Sequence, residues 1–182
     1  MAVTDDPQLA KCLRLLANHG RTMDGSWLDQ QAIGFNYRLS EIQAAMGVAQ
    51  MKRLDQLLAD RRAIVEQYRQ ALAACDALAI PEPPVDCLAM SWFALVLQLD
   101  GRLGRQDRDH LVKEMAANGI QLGRYFAPLH LQPALSRLLG AKRGDFPITE
   151  AIADRCLALP LFGGLSSQHI QEVCDRLLNL LA

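Results

Sequence analysis

A cluster of prolines divides the 182-residue chain into two parts with different hydrophobic patterns. Pro81, Pro83 and Pro84 lack a backbone N–H, so none of them suits the interior of a helix or of a central strand. Before the cluster, apolar residues recur at helical spacing, whereas after it short apolar runs lie among helical stretches. The pattern therefore predicts a domain boundary here, with one domain at 1–80 and a second at 81–182.

The first domain is predicted to begin with a short helix and an ordered loop. Asp5 or Asp6 can cap the helix, and Pro7 suits its first turn. Gly20 can adopt the left-handed conformation that commonly ends a helix. The loop at 21–39 carries several aromatic side chains, which indicates that it packs against another part of the protein.

A long helical pattern follows this loop. Ser40 and Gln43 form a capping box, and the apolar spacing continues to about Ala74. Because few globular helices are that long, a bend is expected around 53–56. The segment 44–49 is rich in small residues, which let another backbone approach closely, as in a buried helix or a dimer contact.

The second domain has the pattern of a small α+β domain. Apolar runs predict three short strands, at 90–99, 120–124 and 157–161. Helical patterns lie between them at 107–118 and 149–155, and a last helix begins at Ser166 or Ser167 and has the apolar stripe Ile170, Val173, Leu177 and Leu181. The segment 125–133 is expected to be irregular because of its prolines. Strands and helices do not alternate regularly, which favours α+β architecture.

Charge and cysteine content exclude several kinds of function. The 19 basic and 20 acidic residues give a net charge of −1, so no broad field indicates a nucleic acid or anionic membrane partner. The five cysteines form no CxxC pair, so we expect neither a disulfide framework nor a metal site. The acidic start and the lack of a bilayer-length apolar run predict a soluble, cytoplasmic protein without a signal peptide.

The most specific motif lies at 34–50. It reads GFNYRLSEIQAAMGVAQ and matches the pattern G-x-N-x-R-[L/M]-[S/T]-[E/D]-[I/L]-x-A-A-x-G-x-x-Q. This segment resembles the signature of the DegT/DnrJ/EryC1/StrS family of aminotransferases. Further segments that are similar to the same family lie at 1–6, 17–20, 61–68, 124–130 and 157–166. The resemblance therefore covers the whole chain.

This resemblance implies the C-terminal part of a fold type I transferase that depends on pyridoxal 5'-phosphate (PLP). The fold class of such an enzyme is α/β, and its part in this chain is a long connecting helix plus a small α+β domain. The family typically works as a homodimer that moves an amino group, usually from glutamate, to a keto sugar on a nucleotide diphosphate. A lysine, an acidic residue and a phosphate cup position the cofactor.

The resemblance also implies roles for four residues. Asn36 matches the asparagine that reaches across the dimer to the partner's PLP phosphate; alternatively, it only shapes the loop. Tyr37 and Arg38 are candidate substrate-binding residues, and Arg38 can bind a carboxylate or diphosphate bidentately or form a structural ion pair. His130 matches the histidine of the substrate loop and is expected to contact sugar or phosphate; alternatively, it is packed and hydrogen-bonded.

None of the chain's lysines lies in the family's lysine context; they are Lys11, Lys52, Lys113 and Lys142. The resemblance places the Schiff-base lysine and most of the phosphate cup before residue 1, so this chain alone is expected to be inactive, as a fragment or a remnant. Two alternatives stay open. One is a PLP- or PMP-dependent sugar dehydratase of the same family, and the other is a non-catalytic dimerisation or binding module. The sequence does not indicate which nucleotide sugar or which carbon is involved.

The chain by itself is expected to expose apolar surface. In the family, the signature loop packs on a partner subunit and the long helix packs on the large domain. The face at 44–49, with Trp27 and Phe35, is therefore predicted to form a hydrophobic patch that promotes dimerisation or aggregation.

Overall fold

In a computed structural model of the chain, residues 2–22, 29–82 and 90–181 are described. They form two compact units, Met1–Arg53 and Leu54–Ala182. The predicted domains 1–80 and 81–182 remain a prediction. Trp27, Cys87, Pro83 and Pro84 lie outside the described residues. In the described part of the chain, no helix is both long and apolar enough to cross a bilayer.

The first unit begins with helix α1, Pro7–Ala17, as its capping signals predicted. The Asp6 carboxylate accepts hydrogen bonds from the backbone N–H groups of Gln8 and Leu9, at 2.8 and 3.2 Å. These bonds satisfy two of the donors that a helix leaves unpaired at its start. Gly20 has a φ of 76° and ends the turn that follows the helix.

The long helical pattern forms two helices rather than one. Helix α2 spans Glu41–Met51, and the predicted capping box between Ser40 and Gln43 is present. A turn at 52–53 separates α2 from helix α3, Leu54–Leu72. The break lies beside the bend that was predicted at 53–56.

The second unit contains a three-stranded antiparallel sheet of order β1-β2-β3. The strands are β1, Leu78–Ala79, β2, Leu95–Leu99, and β3, Cys156–Leu159. In the central strand, Leu95, Leu97 and Leu99 are buried on one face, because successive side chains point to opposite sides. Leu97 lies opposite Leu157 of β3.

The described part of the second unit contains five further helical segments, of which the first and the last contribute buried apolar residues to the core. They are α4, Arg105–Ala117, a short 3₁₀ helix, Leu129–Leu131, α5, Pro133–Leu139, α6, Pro147–Arg155, and α7, Ser167–Leu181. In α7, Ile170, Val173 and Leu177 are buried, as the predicted stripe requires. Helix α3 packs against α7, and its fully buried Tyr68 donates a hydrogen bond to the carbonyl of Pro160 at 3.0 Å. The predicted fold class, α+β architecture, is confirmed.

Some predicted elements are wrong in detail. The segment 120–124 forms no strand, because only Gly123 pairs with β3, through an isolated bridge to Ala158. A Cβ at Gly123 would lie 3.0 Å from the Tyr125 ring, so the backbone passes close to that ring. The strand predicted at 90–99 is limited to its second half. The sequence pattern predicted neither β1 nor α5.

Candidate cofactor and substrate site

The loop that carries Asn36, Tyr37 and Arg38 is bonded to the end of α1. The Phe35 N–H donates to the carbonyl of Leu16 at 2.7 Å, and the Tyr37 N–H donates to that of Ala17 at 2.9 Å. These carbonyls lie in the last turn of the helix, where no helical donor remains for them. The loop therefore caps the helix, and the helix in turn fixes the backbone on both sides of Asn36.

Two glycines allow this close packing. Gly20 and Gly34 lie so near each other that a Cβ on Gly34 would be 2.2 Å from the Gly20 nitrogen. A Cβ on Gly20 would be 1.7 Å from the carbonyl oxygen of Ala32. The nearest atoms are backbone in both cases, so a side chain cannot be accommodated by a rotamer change. The path of the signature loop therefore depends on glycine at both positions.

The side chains of the loop form one polar group on an exposed surface. The Asn36 Oδ1 atom accepts a hydrogen bond from Arg38 Nε at 3.3 Å. Arg38 Nη2 lies 3.2 Å from His19 Nε2, and a guanidinium can only donate, so the His19 nitrogen accepts. Tyr37 stacks on Phe35, with ring centroids 5.1 Å apart. The loop thus presents an ordered asparagine and arginine to solvent.

The described residues leave donors of this group available. No described carboxylate forms an ion pair with Arg38, and no described acceptor takes a hydrogen bond from Asn36 Nδ2. A phosphate is an anion that amide and guanidinium donors bind well. These residues therefore fit one side of a phosphate group, and their assignment to the PLP phosphate or to substrate stays a prediction.

His130 lies in the second unit and is almost completely buried, with 8% of its surface exposed. Its Nε2 atom is 2.9 Å from Oε1 of Glu150, at the start of α6. Its ring also packs against Phe146, at 4.7 Å between centroids. In this chain His130 is therefore packed and hydrogen-bonded, and its contact with a sugar or phosphate stays a prediction.

Glu150 organises the surroundings of His130. Its carboxylate accepts hydrogen bonds from the backbone N–H groups of Gly144, at 2.9 and 3.0 Å, and of Phe146, at 3.3 Å. Burial by itself raises the pKa of Glu150, but the bonds from Gly144, His130 and Phe146 outweigh it and lower the pKa below its ordinary value. An ionised carboxylate can only accept, so His130 Nε2 carries the proton and Nδ1 is the ring nitrogen left for another partner.

Sequence reasoning missed two participants. His19 lies before the signature segment, so the motif does not indicate its contact with Arg38. Glu150 has no distinctive sequence signal, because its burial near the start of α6 is known only from the structure. The described residues contain no group of histidine, cysteine, aspartate and glutamate that could hold a metal ion.

The chain belongs to the DegT/DnrJ/EryC1/StrS aminotransferase family, whose model matches residues 1–178. It is 34% identical over 188 residues to GDP-perosamine synthase of Caulobacter vibrioides, covering 100% of this chain and 47% of that protein. It is 28% identical over 191 residues to the spore coat polysaccharide biosynthesis protein SpsC of Bacillus subtilis, covering 100% of this chain and 49% of SpsC. The chain thus spans about half the length of the curated relatives that it matches.

Solved structures agree with this assignment. The aminotransferase TlmJ of Streptoalloteichus hindustanus matches with a TM-score of 0.83 and 28% identity, over 97% of this chain and 46% of TlmJ. The Streptococcus pneumoniae protein Spr1654 matches with a TM-score of 0.87 and 24% identity over 100% of this chain and 45% of its own, and its structures include PLP and PMP forms. The fold is therefore that of part of a fold type I enzyme, and the family is one of PLP-dependent sugar aminotransferases.

Proposed function

We propose that this chain is the C-terminal half of an aminotransferase that moves an amino group from glutamate to a keto sugar carried on a nucleotide diphosphate. The observation that carries the proposal is the ordered signature loop, in which Asn36 and Arg38 are held together and exposed. Family membership supplies the reaction class. When bound, PLP provides the electron sink and carries the amino group between the two substrates.

The residues of this chain act by positioning. Asn36 would donate from Nδ2 to the PLP phosphate in the partner subunit's site, while its Oδ1 accepts from Arg38. Arg38 would hold a carboxylate or diphosphate of the substrate, and Tyr37 would contact the substrate beside it. His130 would accept a hydrogen bond at Nδ1 from a sugar hydroxyl, because its Nε2 donates to Glu150. Contact with a phosphate oxygen would require a second proton, on Nδ1.

The lysine required for transamination is proposed to lie outside these residues. All four lysines of the chain are exposed. A Schiff-base lysine is normally activated by desolvation in a pocket or by a neighbouring charge. Exposed lysines on helices and turns lack such a pocket, and the relatives are about twice as long as this chain. We therefore expect the 182-residue chain alone to be unable to transaminate.

A homodimer in the cytoplasm is the proposed assembly. Helix α2 has no buried residue, and its apolar side chains Ile42, Met46 and Met51 are each about two-thirds exposed or more. Phe35 and Tyr37 of the adjoining loop are also exposed. Exposed apolar side chains of this kind are typical of a protein interface. Burying them against a second subunit would place the loop that carries Asn36 at that interface.

Cofactor retention by the complete gene product tests the proposal. We expect N36A to weaken PLP binding by about tenfold, because one charge-assisted hydrogen bond to phosphate is lost. The matched control N179A changes an exposed asparagine of α7 and should leave binding unchanged. The measurement is equilibrium dialysis followed by absorbance of bound PLP. Equal retention by N36A and wild type would contradict the role of Asn36.

The same preparation separates the alternatives. Amino transfer from glutamate to a nucleotide-linked keto sugar supports the proposal. Loss of a hydroxyl from the sugar without net amino transfer would assign the protein to the dehydratases of the family. A complete gene product that takes up no PLP would instead be a dimerisation or binding module.

A further inference from the structure

His19 has a backbone conformation that residues with a side chain usually avoid. Its φ is 57°, and Gly20 follows with a φ of 76°. Glycine is the default residue in this left-handed region, whereas a residue with a Cβ is uncommon there. Such an outlier is kept where its surroundings fix it, and it points to a role for the residue. Glycine would fit position 19 more easily, so the imidazole ring there indicates a function of its own.

The backbone around His19 is bonded to the signature loop. The His19 N–H donates to the carbonyl of Phe35 at 2.8 Å, and Asn18 pairs with Asn36 in an isolated antiparallel bridge. The ring of His19 lies with Nε2 at 3.2 Å from Arg38 Nη2. Arg38 in turn donates from Nε to Asn36 Oδ1 at 3.3 Å. His19, Arg38 and Asn36 are therefore joined by two successive side-chain hydrogen bonds.

The direction of these bonds fixes the position of the proton on the His19 ring. A guanidinium has only donors, so Nε2 of His19 must offer a lone pair and the single ring proton must lie on Nδ1. Free neutral histidine in water favours the other tautomer, with its proton on Nε2. His130 requires that other tautomer, because its Nε2 donates to Glu150. The two histidines should therefore carry their protons on different nitrogens.

A second proton on His19 would break its contact with Arg38. The charged side chains on the segments next to the ring are cationic: Arg14 in the last turn of α1, Arg21 and Arg38. The stretch 30–34, which lines a cavity together with His19, has no charged side chain, and Asp29 before it is exposed. Protonation of Nε2 would remove the acceptor and set a positive charge against Arg38. Histidine gains that proton between about pH 8 and 5, so the contact should open on acidification.

We propose that neutral His19 is a positioning residue: it holds Arg38, and through Arg38 it holds Asn36, in the orientation that binds the anionic groups of cofactor and substrate. The inference rests on the proposed function, which assigns Asn36 and Arg38 to those groups, and it adds control by pH to the same site. His19 acts through its neighbours and contacts neither ligand.

The ring tautomers, read by ¹⁵N NMR of the 182-residue chain at about pH 8, test the proposal without cofactor. We expect the proton of His19 on Nδ1 and that of His130 on Nε2 in the same spectrum. R38A should move the His19 proton toward Nε2, because the guanidinium donor is lost. The matched control R53A changes an exposed arginine of the same unit and should leave the proton on Nδ1.

The backbone amide signals of Phe35 and Tyr37 establish that the loop is kept in each variant. A proton on Nε2 of His19 in wild type, or the same tautomer in R38A and wild type, would overturn the proposal.

Cofactor retention by the complete gene product tests the consequence for the site. H19N keeps a residue that tolerates positive φ, but its amide is too short to replace Nε2. We expect H19N to weaken PLP binding by about fivefold, the effect of one ordinary hydrogen bond. H19Q places an amide oxygen near the position of Nε2 and cannot be protonated there. It should therefore bind PLP as wild type does at about pH 8 and lose less affinity than wild type at about pH 6.

The control H110Q changes an exposed histidine of α4 and should keep the pH profile of wild type. Equal PLP binding by H19N and wild type, or equal pH profiles of H19Q and wild type, would overturn the positioning role. A gene product that takes up no PLP in any form would contradict the proposed function instead. The tautomers of His19 would still decide whether it holds Arg38, because they are read without cofactor.

Discussion

Replacing Gly34 by alanine should detach the signature loop from α1 while leaving the second unit intact. The added Cβ would lie 2.2 Å from the Gly20 nitrogen and 2.8 Å from the Leu16 carbonyl oxygen. Both are backbone atoms, so the clash can be relieved only if the two segments separate. Such overpacking typically costs about 1–3 kcal/mol.

The cost should appear locally, in the hydrogen bonds that the loop makes with the helix. The N–H groups of Phe35 and Tyr37 are bonded to the carbonyls of Leu16 and Ala17. If exchange follows local opening, about 1–3 kcal/mol corresponds to amide exchange that is about 5- to 150-fold faster in G34A. Hydrogen–deuterium exchange read by mass spectrometry on peptides from 33–39 measures this directly.

A second glycine supplies the control. Gly47 lies within α2, and a Cβ there would meet no atom within 4 Å. Alanine is favoured over glycine in a helix by about 1 kcal/mol, so G47A should not accelerate exchange at 33–39. Unchanged exchange at 33–39 in G34A would refute the argument that the close approach of Gly20 and Gly34 holds the loop against α1. Faster exchange over the whole second unit would show that the effect of the substitution is not local.

Three further predictions concern the second unit. L97A, at a fully buried position of the central strand, should lower the free energy of unfolding by about 2–5 kcal/mol, measured by urea denaturation. The stabilisation from ionised Glu150 should be fully present above the ordinary glutamate pKa of 4.5 and lost as pH falls through its lowered pKa. Urea unfolding of E150Q should therefore lose less stability on acidification than wild type or the exposed control E66Q. Burial raises the pKa of Cys174 to about 11, so iodoacetamide should label exposed Cys12 before Cys174, as followed by mass spectrometry.

Each of these has a clear contrary result. A loss below about 1 kcal/mol in L97A would mean that the sheet is not the centre of the core. Equal pH dependence in E150Q and wild type would show that the bonds to Glu150 do not favour its ionised form. Rapid labelling of Cys174 in the folded chain would mean that α7 opens readily.

Local signals made much of the first unit predictable. In a helix cap, a side chain accepts a hydrogen bond from a backbone N–H at most three residues away. Asp6 and the pair Ser40 and Gln43 could therefore be recognised from the sequence alone. The last helix was equally predictable, because the apolar residues of its stripe recur at helical spacing and therefore lie on one face of the helix.

The strands were harder because pairing is non-local. A strand forms only where a neighbouring segment supplies backbone hydrogen-bond partners. In the segment 120–124, only Gly123 has such a partner, Ala158. Strand β1 has two residues, too few for a period, and its partner Leu99 lies 21 positions after Leu78. Composition alone does not contain this information.

The candidate site was predictable where a contiguous motif carries it. Asn36, Tyr37 and Arg38 lie within the signature segment, so the sequence identified them together. The acceptor of His130 could not be identified in this way, because Glu150 is 20 residues away on another helix. A cavity lined by four arginines between positions 105 and 143 is harder still to predict, since these residues meet only in the folded chain.

The half-reaction of the complete gene product with L-glutamate tests the central claim most directly. The purified protein, loaded with PLP, is mixed with glutamate and the conversion of PLP to PMP is followed by absorbance; a nucleotide-linked keto sugar is then added. We expect glutamate to produce PMP and the keto sugar to restore PLP with formation of an amino sugar. Bound PLP that neither glutamate nor another amino acid converts would contradict the proposed aminotransferase.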